Sequence, residues 1–170
     1  DTNNQMEISY FHEYFSQYIE HQESNNLLSV STIKNYKKVF AKVKASLPNV
    51  RIEDVTDMSL DIFKSYCKEI HNNTNTINRN IGYVKTVLRH ARKRNYKVQY
   101  NALEYRCKSA PTRRTFLTVA ELKLVQDYYN KTANNSHKVV LRMYLFGCYT
   151  GLRHSDILNL KWDNIKESVI

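Results

Sequence analysis

The sequence predicts an all-α protein, and three observations carry that prediction. Three Gly and two Pro in 170 residues leave little of the chain for turns and loops. Apolar residues recur three and four positions apart along nearly its whole length, which is the helical period. Between the periodic stretches stand helix start and stop signals, such as Pro48, the Thr118–Glu121 pair and Gly151. The length suits one ordinary domain or two small ones, and is enough to bury a core.

Residues 6 to 22 form the first predicted helix, with Ile8, Phe11, Phe15, Tyr18 and Ile19 in one stripe. From Asp1 to Ser24 there is no Lys or Arg, while Glu7, Glu13, Glu20 and Glu23 are acidic. This helix packs inward or meets a protein neighbour rather than a polyanion. Ser31 or Thr32 caps a second helix running to about Ser46. Its core face is Ile33, Tyr36, Phe40, Val43 and Leu47, and its charges are Lys34, Lys37, Lys38, Lys42 and Lys44, with no acid. Lys34, Lys38 and Lys42 share one row, where like charges repel by about 0.2–0.5 kcal/mol per pair. Solvated faces usually mix signs; an unmixed row is better tolerated when an anion neutralises it.

A third helix spans Thr56 to about Ile70, buried through Leu60, Phe63, Cys67 and Ile70. The fourth runs from about Thr76 to Tyr96 on a stripe of Ile77, Ile81, Val84, Leu88 and Ala91. Arg79, Lys85, Arg89, Arg92, Lys93, Arg94 and Lys97 are its charges, again without an acid. Small residues at Gly82 and Thr86 suit a close approach, either of another helix or of a sugar-phosphate strand. The second and fourth helices together carry twelve of the 26 basic residues and no carboxylate.

Residues 97 to 116 lose the period but stay basic through Arg106, Lys108, Arg113 and Arg114. They suit an interdomain linker that tracks a phosphate backbone, or a plain surface loop. Thr118 to Glu121 is a capping box opening a helix through Leu122, Val125 and Tyr129. The apolar run Val139 to Tyr149 predicts a buried helix, ended by a left-handed Gly151. A short helix then begins near His154, with Ile157, Leu158 and Leu160 facing inward. Arg153 falls at this corner, where free N–H groups favour an anion and its planar fork matches phosphate oxygens. Asp156 is spaced to brace that guanidinium or to cap the turn. Ser168 to Ile170 look like the start of a strand, so the second domain is expected to be truncated, and the start at Asp1 suggests a piece of a longer chain.

A formal charge of +10 suits a polyanionic partner, duplex nucleic acid or an anionic surface. Cys67, Cys107 and Cys148 are widely spaced and read as free thiols in a reducing compartment. The six His show no metal spacing, so no metal is expected. Arg142 interrupts the longest apolar run, so no membrane span is expected.

The string Thr150-Gly151-Leu152-Arg153-His154-Ser155-Asp156, followed by Leu158-Asn159-Leu160, Trp162 and Ile165, resembles the first catalytic-arginine box of the tyrosine recombinases, the phage integrase family. Ser29-x-Ser31-Thr32-Ile33-x-x-Tyr36, Thr76-Ile77-Asn78-Arg79 and Phe116-Leu117-Thr118-x-x-Glu121-Leu122 resemble weaker motifs of the same family. Asn101-Ala102 departs from it, since relatives usually carry Asn-Pro there. The resemblance implies a SAM-like helical core-binding domain over 1–100, a basic linker over 101–116, and the first part of a mainly helical catalytic domain over 117–170.

It also implies DNA strand cleavage and rejoining through a 3′-phosphotyrosine, without metal or other cofactor, by a tetramer on double-stranded DNA in the cytoplasm, associated with the nucleoid. Arg153 would hold the scissile phosphate and Asp156 would support it. Lys34, Lys37, Lys38, Lys42, Arg79, Lys85, Arg89, Arg92, Lys93, Arg113 and Arg114 would bind DNA. The family's remaining catalytic residues, its nucleophilic tyrosine among them, match none of these 170 positions. This stretch alone is therefore expected to bind DNA without cutting it. A non-catalytic DNA-binding regulator of the same fold is the alternative; a helical repeat scaffold is disfavoured by the lack of any period.

Overall fold

The computed structural model describes residues 10–108, 111 and 115–164. The expectations for Ile8, Arg113, Arg114, Ile165 and the strand start at 168–170 lie outside the described residues. The chain divides into two compact units, Asp1–Pro111 and Thr112–Ile170. Both are helical, and the described residues contain no strand.

In the first unit, helix α1 (Phe11–Ser24) packs on α2 (Val30–Ser46), α3 (Asp57–Glu69) on α2, and α4 (Thr74–Lys93) on all three. The core is built from the apolar stripes of these helices. Phe11, Phe15, Val39, Val43, Leu47, Leu60, Phe63, Ile81, Val84 and Leu88 are fully buried. Val39, rather than Phe40, takes the central position on α2, and Phe40 packs at the edge. The second helix starts two residues earlier than its sequence suggests. Ser29 is the cap, its hydroxyl accepting from Thr32 N at 3.3 Å, while Ser31 and Thr32 are already inside the first turn. Asn73 does the same for α4, accepting from Thr76 N at 2.8 Å.

A short helix α5 (Tyr100–Glu104) follows and packs on α3 and α4. Ala102 and Leu103 are buried in the same core, which corrects the expectation of a linker from residue 101. Two apolar side chains in five residues are too short a pattern to show a period. Beyond it, Tyr105 O accepts from Lys85 Nζ at 2.8 Å and Lys108 O accepts from Asn78 Nδ2 at 3.0 Å. Residues 105–108 thus run antiparallel along α4. On the other side, the Tyr105 hydroxyl donates to Asp61 Oδ1 at 2.5 Å and Asn101 Nδ2 to Asp57 Oδ1 at 2.8 Å, both on α3.

An aromatic cluster joins α1, α2 and α4. The Tyr36 and Tyr83 rings meet edge to face at 4.6 Å, as do Tyr14 and Tyr96 at 4.9 Å. His90 lies among them, its ring 4.9 Å from that of Tyr18 and its Nδ1 2.8 Å from the Tyr14 hydroxyl. Burial is the main cause that pushes Tyr14 up to about 12. Burial, then Arg94, His21 and Lys93, hold the His90 imidazole below its ordinary value.

In the second unit, α6 (Val119–Lys131) and α8 (His154–Leu158) both pack on α7 (Asn135–Thr150). The Thr118–Glu121 capping box forms as its spacing predicts, with Glu121 Oε2 accepting from Thr118 N at 2.7 Å. That bond holds the Glu121 carboxyl below its usual value. Gly151 ends α7 at φ 71°, in the left-handed region, its N–H donating to Gly147 O at 2.9 Å. The expected burial of α7 is not found. Leu145 is buried, but Val140 is 66% exposed and Tyr149 65%. An all-round apolar helix needs neighbours on every side, and among the described residues its main neighbours are α6 and short α8. Among the described residues, no helix is long and apolar enough to cross a membrane.

Because the His90 imidazole is held below its ordinary value of 6.5, the unfolded chain takes up more protons than the folded one as pH falls through that value. The stability contributed at this site is whole above that pH and declines as pH falls through it. Urea unfolding followed by circular dichroism from about pH 8 to about pH 5 is expected to show this decline, and His90→Gln to flatten it. An unchanged pH profile in the variant would remove His90 as its source.

Candidate nucleic-acid interface

The interface predicted from charge rests on α2 and α4, and the structure sorts their cations into those turned outward and those used internally. On α2, Lys34 and Lys38 are exposed. Lys37 is exposed too, but its ammonium sits 2.7 Å from the Glu23 carboxylate of α1. Lys42 turns inward. Its Nζ donates to Asn72 Oδ1 at 3.0 Å, and with the Asn80 amide oriented to suit its neighbours, to Asn80 Oδ1 at 3.0 Å. The same orientation lets Asn80 Nδ2 donate to Thr76 O at 3.3 Å. The unmixed row of Lys34, Lys38 and Lys42 is therefore not a row of three free cations. Lys42 is a tie between α2 and the start of α4, because Asn80 is buried and its oxygen needs a donor.

On α4, Arg79, Arg89, Arg92 and Lys93 are exposed, and none makes an ion pair among the described residues. Arg79, Gly82, Thr86, Arg89 and Lys93 follow one another at intervals of three and four. They form a single file on the side away from Ile77, Ile81, Val84, Leu88 and Ala91. Lys85, expected among the DNA-binding cations of α4, is half-buried instead and donates to Tyr105 O. Burial, followed by the nearby Arg89, lowers its ammonium from the ordinary lysine value, and Arg106 adds to the effect. Arg89, Arg92 and Lys93 also line a recess of about 430 Å³ with Leu103 and Glu104 of α5.

Arg106 and Lys108 are exposed on the segment running along α4. Sequence alone marks them as basic but not as neighbours of α4. The pairs that fasten the segment, such as Asn78 with Lys108 and Asp61 with Tyr105, are 30 and 44 residues apart and leave no local signal.

In the second unit, Arg153 is the N-cap residue of α8, with extended backbone (φ −73°, ψ 152°). Its carbonyl accepts from Asp156 N at 2.9 Å and Ile157 N at 3.0 Å, while its side chain is exposed. Gly147 lets α8 come close. A Cβ there would stand 3.1 Å from Ile157 Cδ1. The bracing expected of Asp156 is not formed. Among the described residues no ion pair joins it to Arg153, and its carboxylate accepts instead from Ser155 Oγ at 3.4 Å. Both groups are exposed, where an ion pair is worth only about 0–1 kcal/mol. Ile157 is half-buried, but Leu158 (62%) and Leu160 (37%) are exposed rather than turned inward.

Lys42→Met is expected to cost about 1–3 kcal/mol of stability, the penalty for a buried polar atom left unsatisfied. Lys34→Met and Lys38→Met are expected to stay within about 0.5 kcal/mol. Urea titration of the three variants separates the tie from the free cations; equal costs would contradict it.

Comparisons with known proteins place this architecture. No curated protein matches the chain. Among solved structures, the Tn1549 transposon integrase in complex with a circular intermediate DNA superposes with a TM-score of 0.76 at 13% identity, over 93% of this chain and 50% of that one. A lambda integrase tetramer bound to a Holliday junction superposes with a TM-score of 0.71 at 18% identity, over 98% of this chain and 47% of that one. The chain thus spans about half the length of these solved structures. Residues 10–106 match the phage integrase SAM-like domain. The chain belongs to the phage integrase SAM-like domain family, in keeping with its resemblance to the tyrosine recombinases.

Proposed function

We propose that this chain is the DNA-binding portion of a site-specific tyrosine recombinase, which cuts and rejoins strands through a 3′-phosphotyrosine as a tetramer on duplex DNA. The observation that carries this reading is the outward, acid-free file of Arg79, Arg89 and Lys93 on α4. The solved integrases bound to DNA support it as structural neighbours. The first unit acts as the core-binding domain. Residues 117–170 are the opening of the catalytic domain, and the connection between the two, Arg113 and Arg114 included, is basic. Lys34, Lys38, Arg92, Arg106 and Lys108 add phosphate contacts, while Lys42 and Lys85 act within the fold.

Arg153 would bind the non-bridging oxygens of the scissile phosphate as charge builds in the transition state. Its exposure at the end of a short loop, with no carboxylate on its guanidinium among the described residues, leaves that fork available to an anion. Asp156 would then support the corner through the backbone turn it helps form rather than through an ion pair. The other catalytic groups that the family's chemistry calls for match no position in these 170 residues. The chain as it stands therefore binds without cutting.

Arg79→Glu combined with Arg89→Glu is expected to weaken binding to any duplex sequence. The dependence of log affinity on log salt is expected to flatten by about 0.9 for each phosphate that is no longer neutralised. Fluorescence anisotropy at several salt concentrations measures both. Unchanged affinity and slope would refute the α4 face. On a nicked duplex, the chain is expected to give no protein–DNA adduct resistant to denaturing electrophoresis. Such an adduct would show that one of the thirteen tyrosines is a nucleophile and overturn the inactive reading.

A further inference from the structure

Gly82 stands in the middle of α4, at a position where nothing within the first unit asks for a glycine. Its backbone is ordinary helix, since the glycine with positive φ among the described residues is Gly151. A Cβ built on Gly82 would meet no atom within 4 Å, so no neighbouring helix presses against it. Gly is the weakest helix former after Pro, and this one is exposed at the ninth position of a twenty-residue helix. Its cost to α4 is thus not offset by any packing or turn in the first unit.

What surrounds it is one-signed. Arg79 precedes it by one turn in the same exposed file, and Arg89 and Lys93 follow. Thr86, the next member, folds its hydroxyl back to donate to Gly82 O at 3.0 Å, so that turn adds little height. From Arg79 to Arg89 the helix rises roughly 15 Å, and the low stretch lies between them. One strand of duplex DNA carries a phosphate every 3.4 Å or so of axis, so this span faces several of them.

The geometry points to Gly82 as a positioning residue: the place where the sugar-phosphate backbone of one DNA strand rests directly on the backbone of α4, with Arg79 on one side and Arg89 and Lys93 on the other. A methyl at this position stands about 1.5 Å above Cα and lifts the strand away from both flanking cation groups at once. The inference rests on the DNA-binding reading of α4 and adds to it a steric requirement that charge alone does not contain.

The test compares Gly82→Ala, Gly82→Leu and the Arg79→Glu/Arg89→Glu pair in the full chain. Thermal unfolding of both Gly82 variants is expected to rise by several degrees, because a better helix former is placed in open space. Anisotropy with duplex DNA is expected to show about tenfold weaker binding for Gly82→Ala, a factor worth 1.4 kcal/mol, and a larger loss for Gly82→Leu. The salt slope is expected to flatten less for Ala than for the arginine pair, since the cations remain in place and only their distance from the strand changes. Opposite movement of stability and affinity is a result that a purely structural glycine does not give. Wild-type affinity in both Gly82 variants, with the arginine pair still weakened, would overturn the close approach and leave the DNA face standing. Undiminished binding in the arginine pair would instead overturn the DNA face itself. Loss of self-association in ultracentrifugation with DNA affinity intact would mean that a protein helix, not a strand, lies on Gly82, and would also overturn the proposal. A fall in unfolding temperature for Gly82→Ala would show an internal role for the glycine and do the same.

Discussion

The burial of one side of α4 is the constraint on which the first unit depends. Ile77, Ile81, Val84, Leu88 and Ala91 are all buried, and together they remove enough apolar area from water to fix the rotation of the helix about its axis. Once that rotation is set, Arg79, Arg89 and Lys93 have only one place to be. The cations need no dedicated support, because the hydrophobic effect on the opposite side already orients them. The same rotation brings Asn80 inward to Lys42, and Lys85 sideways to the segment after α5.

Those two lysines show how composition can overstate a surface. Spacing alone puts Lys34, Lys38 and Lys42 in one file. Asn72 and Asn80 capture the third of them, and neither partner is near it in sequence. Lys85 is likewise taken by a backbone carbonyl twenty residues away. Long-stemmed cations can serve either role, and what decides is the identity of tertiary neighbours. The helices are legible because their period and caps are local: Thr118 with Glu121, Gly151, and the stripes of α1 to α4. Sequence alone misassigns the cap of α2 because Ser31 and Thr32 are residue types as suited to capping as Ser29, the true cap two and three positions before them. Helix α5 is hidden because five residues cannot display a period.

The second unit is legible in a different way. Its motif locates the corner around Arg153, and both the left-handed Gly151 and the helix start at His154 are where the residues place them. Burial is where the sequence misleads. An apolar run states that a surface should be covered, but it does not state by what, and α6 and α8 cover only part of α7.

That uneven covering bears on how the corner behaves. Helices of thirteen and sixteen residues are close to the length at which an isolated helix is marginal in water, and among the described residues of this unit Leu145 is the one that lies buried. The corner bearing residue 153 hangs from this lightly anchored pair, whereas the α4 cations ride on a solid core. On the proposed DNA-binding reading, ordering this hairpin against a phosphate would draw on the free energy of binding.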